Sequence, residues 1–139
     1  MKNLILLLTI LILAPAISFG QITLVIEIEP LRNSDGKILL EFNNENEEVI
    51  KGITEKITDN KCTIQIKDLK PGKYAFKYFH DENNDKKLTT NFVGMPKEGF
   101  GFSNDAKGKF GPPPFDKMIF ELSESTTIKC IPVYILKQK

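Results

Sequence analysis

The feature that most constrains the fold is the alternation of apolar and polar residues in short segments along the chain. In residues 22–29, for example, Leu24, Ile26 and Ile28 fall on one face of a β-strand. No segment has a sustained helical period, although residues 45–56 have room for one or two helical turns. We therefore predict an all-β fold, a seven-stranded antiparallel β-sandwich of the immunoglobulin-like kind. The predicted strands are residues 22–29, 37–43, 53–58, 61–69, 73–80, 117–122 and 126–136.

Turn residues separate several of these strands. Pro71 fixes the backbone for the first central position of a type II turn, and Gly72 suits the positive φ of the second. This Leu-x-Pro-Gly-x-Tyr pattern over residues 69–74 resembles that of extracellular, prealbumin-like sandwich modules. Residues 59–60, Asp-Asn, predict a hairpin, and Pro132 places the last strand at a sheet edge or a bulge.

The longest segment without a strand pattern is residues 81–116, which contains five phenylalanines and five glycines. Loops of this length are functional or disordered as a rule, and burial of the aromatic rings favours an ordered loop. Either the aromatic side chains only tether the loop to the core, or some of them line a binding surface. The candidate binding residues are His80, Phe92, Met95, Phe100, Phe102, Asn104, Phe110 and Phe115.

Oxygen-bearing side chains alternate at the beginning of this loop. Asp81, Asn83 and Asp85 match positions 1, 3 and 5 of a calcium-binding loop. Lys87 would supply its backbone carbonyl at position 7. The pattern therefore predicts Ca²⁺ as a candidate cofactor of a calcium-stabilised structural domain.

The same segment departs from a calcium loop at two positions. Position 6 is Lys86 where glycine is preferred, and position 12 is Phe92 where a bidentate glutamate is expected. Asn91 or the more distant Glu98 would have to complete the coordination. The alternative is a polar turn closed by hydrogen bonds from Asx side chains, and the sequence leaves both open.

The first 20 residues have the layout of a secretory signal peptide. Lys2 precedes an apolar run, and small residues at Ser18 and Gly20 suit cleavage before Gln21. The run is too short for a membrane span, and no later segment is apolar enough for one. We expect residues 21–139 to form one exported domain, periplasmic or extracellular.

The two cysteines, Cys62 and Cys130, have two interpretations. In an oxidising compartment they can form a disulfide. Alternatively, each is a small buried residue of its own strand. The sequence does not decide between them.

The charge of the predicted domain excludes one class of partner. Only Lys2 precedes residue 21 among the charged residues, so 18 of the 19 basic residues remain against 18 acidic ones. Nucleic acids select a strongly basic surface, so we expect no nucleic-acid partner.

Catalytic motifs are missing from the sequence. It has one histidine, His80, and no nucleophile elbow, zinc-protease helix, P-loop or Cys-x-x-Cys pair. A carboxylate pair such as Asp81 with Glu98 would suit a carbohydrate hydrolase, as a minor alternative. We expect no enzymatic activity, and either a ligand-binding module, for instance for a glycan, or an interaction domain for envelope proteins.

Three blocks of the loop carry a resemblance to a known family. They are His80 to Asn83 (HDEN), Asn91 to Asn104 (NFVGMPKEGFGFSN) and Gly108 to Phe115 (GKFGPPPF). The chain resembles a family of exported bacterial proteins known as domain-of-unknown-function family 2141. The resemblance implies a secreted, single-domain sandwich without an assigned activity. This chain has Lys86 and Thr89 where relatives usually have glycine and an acid.

Overall fold

The computed structural model describes residues 20–137, so the predicted signal peptide lies outside the described residues except for Gly20. Among the described residues, no helix is long and apolar enough to cross a membrane. In chain order the elements are β1 (Ile22–Ile28), β2 (Lys37–Asn44), β3 (Val49–Lys56), β4 (Cys62–Leu69), β5 (Gly72–Asp81), β6 (Phe100–Phe102), a 3₁₀ turn (Ser103–Asp105), α1 (Phe115–Met118), β7 (Phe120–Leu122) and β8 (Thr126–Cys130).

The strands form two sheets. The three-stranded sheet has the order β4-β1-β8, and the five-stranded sheet has the order β3-β2-β5-β6, with β7 also paired to β5. The prediction of a mainly β protein is therefore confirmed. The seven-strand count is wrong, because the loop contributes the additional strand β6. The expectation of antiparallel pairing throughout is also wrong, because β8 runs parallel to β1.

Both sheets contribute to one hydrophobic core. In β1 every second residue is buried, as the alternation predicted. Burial of each such side chain stabilises the fold by about 1.5–3 kcal/mol. The largest fully buried apolar side chains are Leu24, Ile26 and Ile28 of β1, Ile38 and Phe42 of β2, Ile64 and Ile66 of β4, Phe76 of β5 and Leu122 of β7.

The segment considered for helical turns is a turn followed by an edge strand. The Asn44 side-chain Oδ1 accepts hydrogen bonds from the backbone N–H groups of Asn46 and Glu48, each at 3.0 Å. This turn joins β2 to β3, so residues 49–56 form a strand rather than a helix. The Asp59-Asn60 turn forms and is closed by the bridge between Thr58 and Lys61. The predicted hairpin is wrong, because β3 and β4 belong to different sheets.

Two predictions near prolines need correction. Gly72 does not have the positive φ that a type II turn requires, so the predicted turn type is wrong. Gly72 instead begins β5, and the left-handed residue of this segment is Asp68 (φ 61°). The last strand ends at Cys130 instead of continuing to residue 136. Beyond Pro132 the chain crosses to the other sheet, where Val133 pairs with Phe100 of β6. Strand β8 lies at a sheet edge, as Pro132 predicted.

The two cysteines are free and buried. Both lie opposite Ile28, Cys62 on β4 and Cys130 on β8, with β1 between them. Two strand spacings separate their Cα atoms by about 10 Å, beyond the roughly 7 Å limit for a disulfide. The disulfide interpretation is therefore wrong. Burial raises the pKa of both thiols to about 12, so they stay protonated and unreactive at neutral pH.

Candidate functional site

The predicted calcium ligands lie together in residues 81–89, which we call the polar turn. Asp81 ends β5 and its side chain is 1% exposed. Its Oδ1 accepts a hydrogen bond from the Asp85 backbone N–H at 3.1 Å, and its Oδ2 accepts one from the Lys86 N–H at 2.9 Å. Backbone donors therefore satisfy both oxygens of this buried carboxylate.

Asp85 is held in the same way on the outer side of the polar turn. Its Oδ1 accepts the Lys87 backbone N–H at 2.8 Å, and its Oδ2 accepts the Asn83 Nδ2 at 3.1 Å. The Asn83 Oδ1 in turn accepts the Asp85 backbone N–H at 3.1 Å. These are the Asx contacts that the alternative interpretation predicted.

Glu98 also bonds the polar turn, although it lies far along the chain. Its side chain is 4% exposed. Its Oε1 accepts the backbone N–H of Glu82 at 3.0 Å, and its Oε2 accepts that of Thr89 at 2.9 Å. Glu98 thus links Glu82 and Thr89, near the two ends of the polar turn.

Asn91, the other candidate for the last calcium position, serves a different turn. Its Oδ1 accepts the backbone N–H groups of Val93 and Met95. Within residues 20–137, no three His, Cys, Asp or Glu side chains are grouped so that they could hold a metal ion. The oxygens of the polar turn have hydrogen-bond donors without an ion, which favours the Asx turn over the calcium loop.

His80 is fully buried beside the polar turn. Its Nε2 lies 2.7 Å from the Asp35 carbonyl oxygen, which only accepts, so Nε2 carries a proton. Its Nδ1 lies 2.9 Å from the Tyr134 hydroxyl. Close to this pair, a Cβ on Gly36 (φ +68°) would lie 1.8 Å from the Asp81 carbonyl oxygen, so only glycine fits there. Through its two ring nitrogens, His80 fixes the segments around Asp35 and Tyr134 to the end of β5.

Arg32 is a residue that the sequence did not single out. Its guanidinium donates to both carboxylate oxygens of Glu82, through Nε at 3.2 Å and Nη2 at 2.5 Å. It also donates to the carbonyl oxygens of Lys97 and Leu136 and lies 4.6 Å from the centre of the Tyr134 ring. One side chain thus joins the β1–β2 connection, the loop and the C-terminal segment.

The environment of Glu82 and Tyr134 shifts both of their pKa values. Burial alone would raise the pKa of Glu82, but hydrogen bonds from Arg32 and Asn33 outweigh burial and lower it. Burial raises the pKa of Tyr134. At neutral pH Glu82 is therefore ionised and Tyr134 keeps its hydroxyl proton.

The five loop phenylalanines fall into two groups. Phe100 and Phe102 lie in β6 with ring centres 6.0 Å apart, and they are half-buried, as is Phe115 at the start of α1. Phe92 and Phe110 are completely exposed, at 100% and 103% of the reference area. Tethering therefore accounts for three rings and leaves two unexplained.

Phe92 lies in residues 90–96, which we call the apolar tip. Thr90 pairs with Pro96, and the Asn91 backbone N–H donates to the Met95 carbonyl at 2.9 Å. Met95 is also exposed beside Phe92. The hydrogen bonds close the turn, and the exposed Phe92 and Met95 form a small apolar surface on it.

Phe110 borders a pocket formed by residues 104–117, which we call the lysine pocket. Its volume is about 660 Å³, and its lining is Asn104, Ala106, Lys107, Gly108, Lys109, Phe110, Pro112, Pro114 and Lys117. The sequence search found Asn104 and Phe110 but not the lysines. The chain brings these three lysines together through the Gly-Pro turn and α1, and their spacing matches no motif.

The back of the lysine pocket is fixed to the larger sheet. The buried Ser103 hydroxyl accepts the Phe76 backbone N–H at 3.0 Å and donates to the Met118 carbonyl at 2.6 Å. The Asn104 Nδ2 donates to the carbonyls of Lys117 and Ile119. These contacts hold the 3₁₀ turn against α1 and so set the shape of the pocket.

The two sheets and the long loop define a small all-β domain. The model of a family described as "uncharacterized protein conserved in bacteria" (DUF2141) matches residues 26–129. The match covers about three quarters of the chain, which therefore belongs to this family, and the resemblance expected from the sequence is confirmed. Comparisons with curated proteins and with solved structures give no match.

Proposed function

We propose that this protein is an exported, non-catalytic β-sandwich module that binds a partner of the bacterial envelope through its 81–116 loop. The observation that carries the proposal is the complete exposure of Phe92 and Phe110 on segments closed by hydrogen bonds or stiffened by prolines. Each ring offers about 1.5–3 kcal/mol if a partner buries it.

The fold and the predicted signal peptide support the proposal of an exported β-sandwich module. Both sheets contribute side chains to one core, which favours an immunoglobulin-like or prealbumin-like sandwich. The predicted signal peptide at residues 1–20 favours export to the periplasm or the exterior.

The contacts of the candidate acids and of the histidine favour a binding role over catalysis. Asp81 and Glu98 each accept two backbone N–H groups, and both nitrogens of His80 have partners. Acid–base chemistry at these residues would require breaking bonds that hold the loop. A carboxylate-dependent hydrolase is therefore the weaker proposal.

Co-sedimentation with isolated bacterial envelopes tests the function. The mature protein should pellet with the envelopes, and a Phe92→Ser, Phe110→Ser double variant should lose most of this binding. Ile131→Ser is the matched control, because Ile131 is 70% exposed but lies outside the loop, and it should bind like wild type. Equal pelleting of all three proteins, or of none, would contradict the proposal.

A further inference from the structure

We propose that the lysine pocket binds a phosphorylated sugar unit of an envelope polymer. The three lysines hold the phosphate, and the Phe110 ring packs against the sugar. This inference rests on the proposed function and names the ligand class of one of its two exposed aromatic sites.

The charge of the pocket selects an anion. Lys107, Lys109 and Lys117 line it, and no acidic residue does; Asp105 and Asp116 are neighbours in sequence outside the lining. Within residues 20–137, none of the three lysines lies within ion-pair distance of a carboxylate. Three ammonium groups without carboxylate partners, in a domain of balanced charge, form a local site for a multiply charged anion such as phosphate.

Apart from the lysines and Asn104, the side chains that line the pocket are apolar and suit a sugar ring. Phe110 is completely exposed at its border, and Pro112 and Pro114 supply carbon surface beside it. The apolar face of a pyranose packs on an aromatic ring, while the charged substituent reaches the lysines. The pocket volume of about 660 Å³ is within the usual range of small-molecule sites.

The backbone of the pocket is stiff, which lowers the entropic cost of binding. Residues 112–114 are three consecutive prolines, whose rings fix the backbone φ. Ser103 and Asn104 fix the opposite wall to β5 and α1. Binding therefore needs to order only the lysine side chains and the Phe110 ring.

An NMR titration of the mature, isotope-labelled protein tests the inference. The probes are N-acetylglucosamine 1-phosphate, N-acetylglucosamine and inorganic phosphate. We expect saturable shifts confined to the amides of residues 104–117, with the sugar phosphate at least several-fold tighter than either simpler probe. Raising the salt concentration should weaken its binding.

Two variants and a matched control assign the contacts. Lys107→Met with Lys109→Met should weaken sugar-phosphate binding at least tenfold, and Phe110→Ser should remove its advantage over inorganic phosphate. Lys86→Met with Lys87→Met changes two exposed lysines of the polar turn and should leave the affinity unchanged. All these side chains are exposed, and a thermal melt of each variant checks that it is folded.

The outcomes separate this inference from the proposed function. Equal affinity for the neutral sugar and its phosphate, no saturable shift, or tighter binding to anionic phospholipid vesicles than to the sugar phosphate would overturn the sugar-phosphate assignment. If envelope binding then still depends on the two exposed phenylalanines, the proposed function stands and only the ligand class is wrong. If envelope binding fails as well, both are wrong.

Discussion

The polar turn and the lysine pocket are two charged parts of one loop with opposite use of their charges. In the polar turn, Asp81 and Glu98 are buried and each accepts two backbone N–H groups. In the lysine pocket, Lys107, Lys109 and Lys117 line an open surface without carboxylate partners among the described residues. The acids of the polar turn are satisfied by their own chain and serve the fold, whereas the lysines are the part of the loop for which we propose a ligand.

The reason for the difference lies in the backbone. Asn84 (φ 59°) and Lys86 (φ 63°) are left-handed, and this tight path turns several N–H groups inward, where they need acceptors. The Gly-Pro path of residues 108–114 has fewer donors, because proline has no N–H.

The largest expected effect concerns the contribution of the polar turn to the stability of the fold. Asp81→Ala leaves the N–H groups of Asp85 and Lys86 without their acceptor, and we expect it to lower the free energy of unfolding by about 3 kcal/mol. Lys109→Ala is the control and should change it by less than about 0.5 kcal/mol. Urea titrations measure both. Equal stability of the two variants would contradict this assignment of the polar turn.

A smaller effect concerns the ion pair behind the polar turn. Arg32→Met removes the bonds to Glu82 and to two carbonyls and should cost about 2 kcal/mol at neutral pH. Hydrogen bonds from Arg32 and Asn33 hold the pKa of Glu82 in the folded state below its ordinary value of 4.5. Its contribution to stability is therefore complete above that value and is lost as the pH falls through the folded pKa.

Urea titrations between pH 3 and 7 measure this linkage. The stability of the wild type should fall more steeply below about pH 5 than that of Arg32→Met. Lys77→Met is the matched control, since it breaks the exposed pair with Glu41 and should change the slope less. Parallel pH profiles of Arg32→Met and the wild type would exclude the Arg32–Glu82 pair as the source of the loss of stability at low pH.

The smallest expected effect is that of calcium. Because the oxygens of Asp81, Asn83 and Asp85 already accept hydrogen bonds, we expect millimolar calcium to change the Tm by less than about 1 °C relative to chelator. The same amount of magnesium is the control for ionic strength. A calcium-specific rise of several degrees would show that the ion displaces these hydrogen bonds and that the calcium loop is the correct interpretation.

The sequence predicted the local parts of the fold well. Strand β1 and its buried face follow from period-two alternation, and the Asp59-Asn60 turn follows from its residues. The parallel pairing of β8 and the crossing of Val133 to β6 were not predictable, because they depend on how the sheets meet. Strand β6 has three residues, which is too short for an alternation signal.

In the candidate site, too, the sequence predicted local contacts and missed those between distant parts of the chain. The polar turn was foreseen as one of two alternatives because its Asx contacts span only a few residues. Glu98 was considered from the sequence only as a metal ligand or an acid, and its bonds to the backbone of the polar turn were not foreseen. Like the contacts of Arg32 with Glu82, they join distant parts of the chain. The lysine pocket was missed because Lys117 of α1 joins Lys107 and Lys109 in its lining only through the contacts between α1 and the 3₁₀ turn.

Lysine footprinting shows whether the lysine pocket, rather than the polar turn, contacts the envelope. Envelope-bound and free protein are acetylated in parallel, and mass spectrometry measures the modification of each lysine. We predict several-fold protection of Lys107, Lys109 and Lys117 in the bound state, with Lys86 and Lys87 of the polar turn reacting equally in both. Protection of Lys86 and Lys87 while the pocket lysines keep reacting would contradict the account.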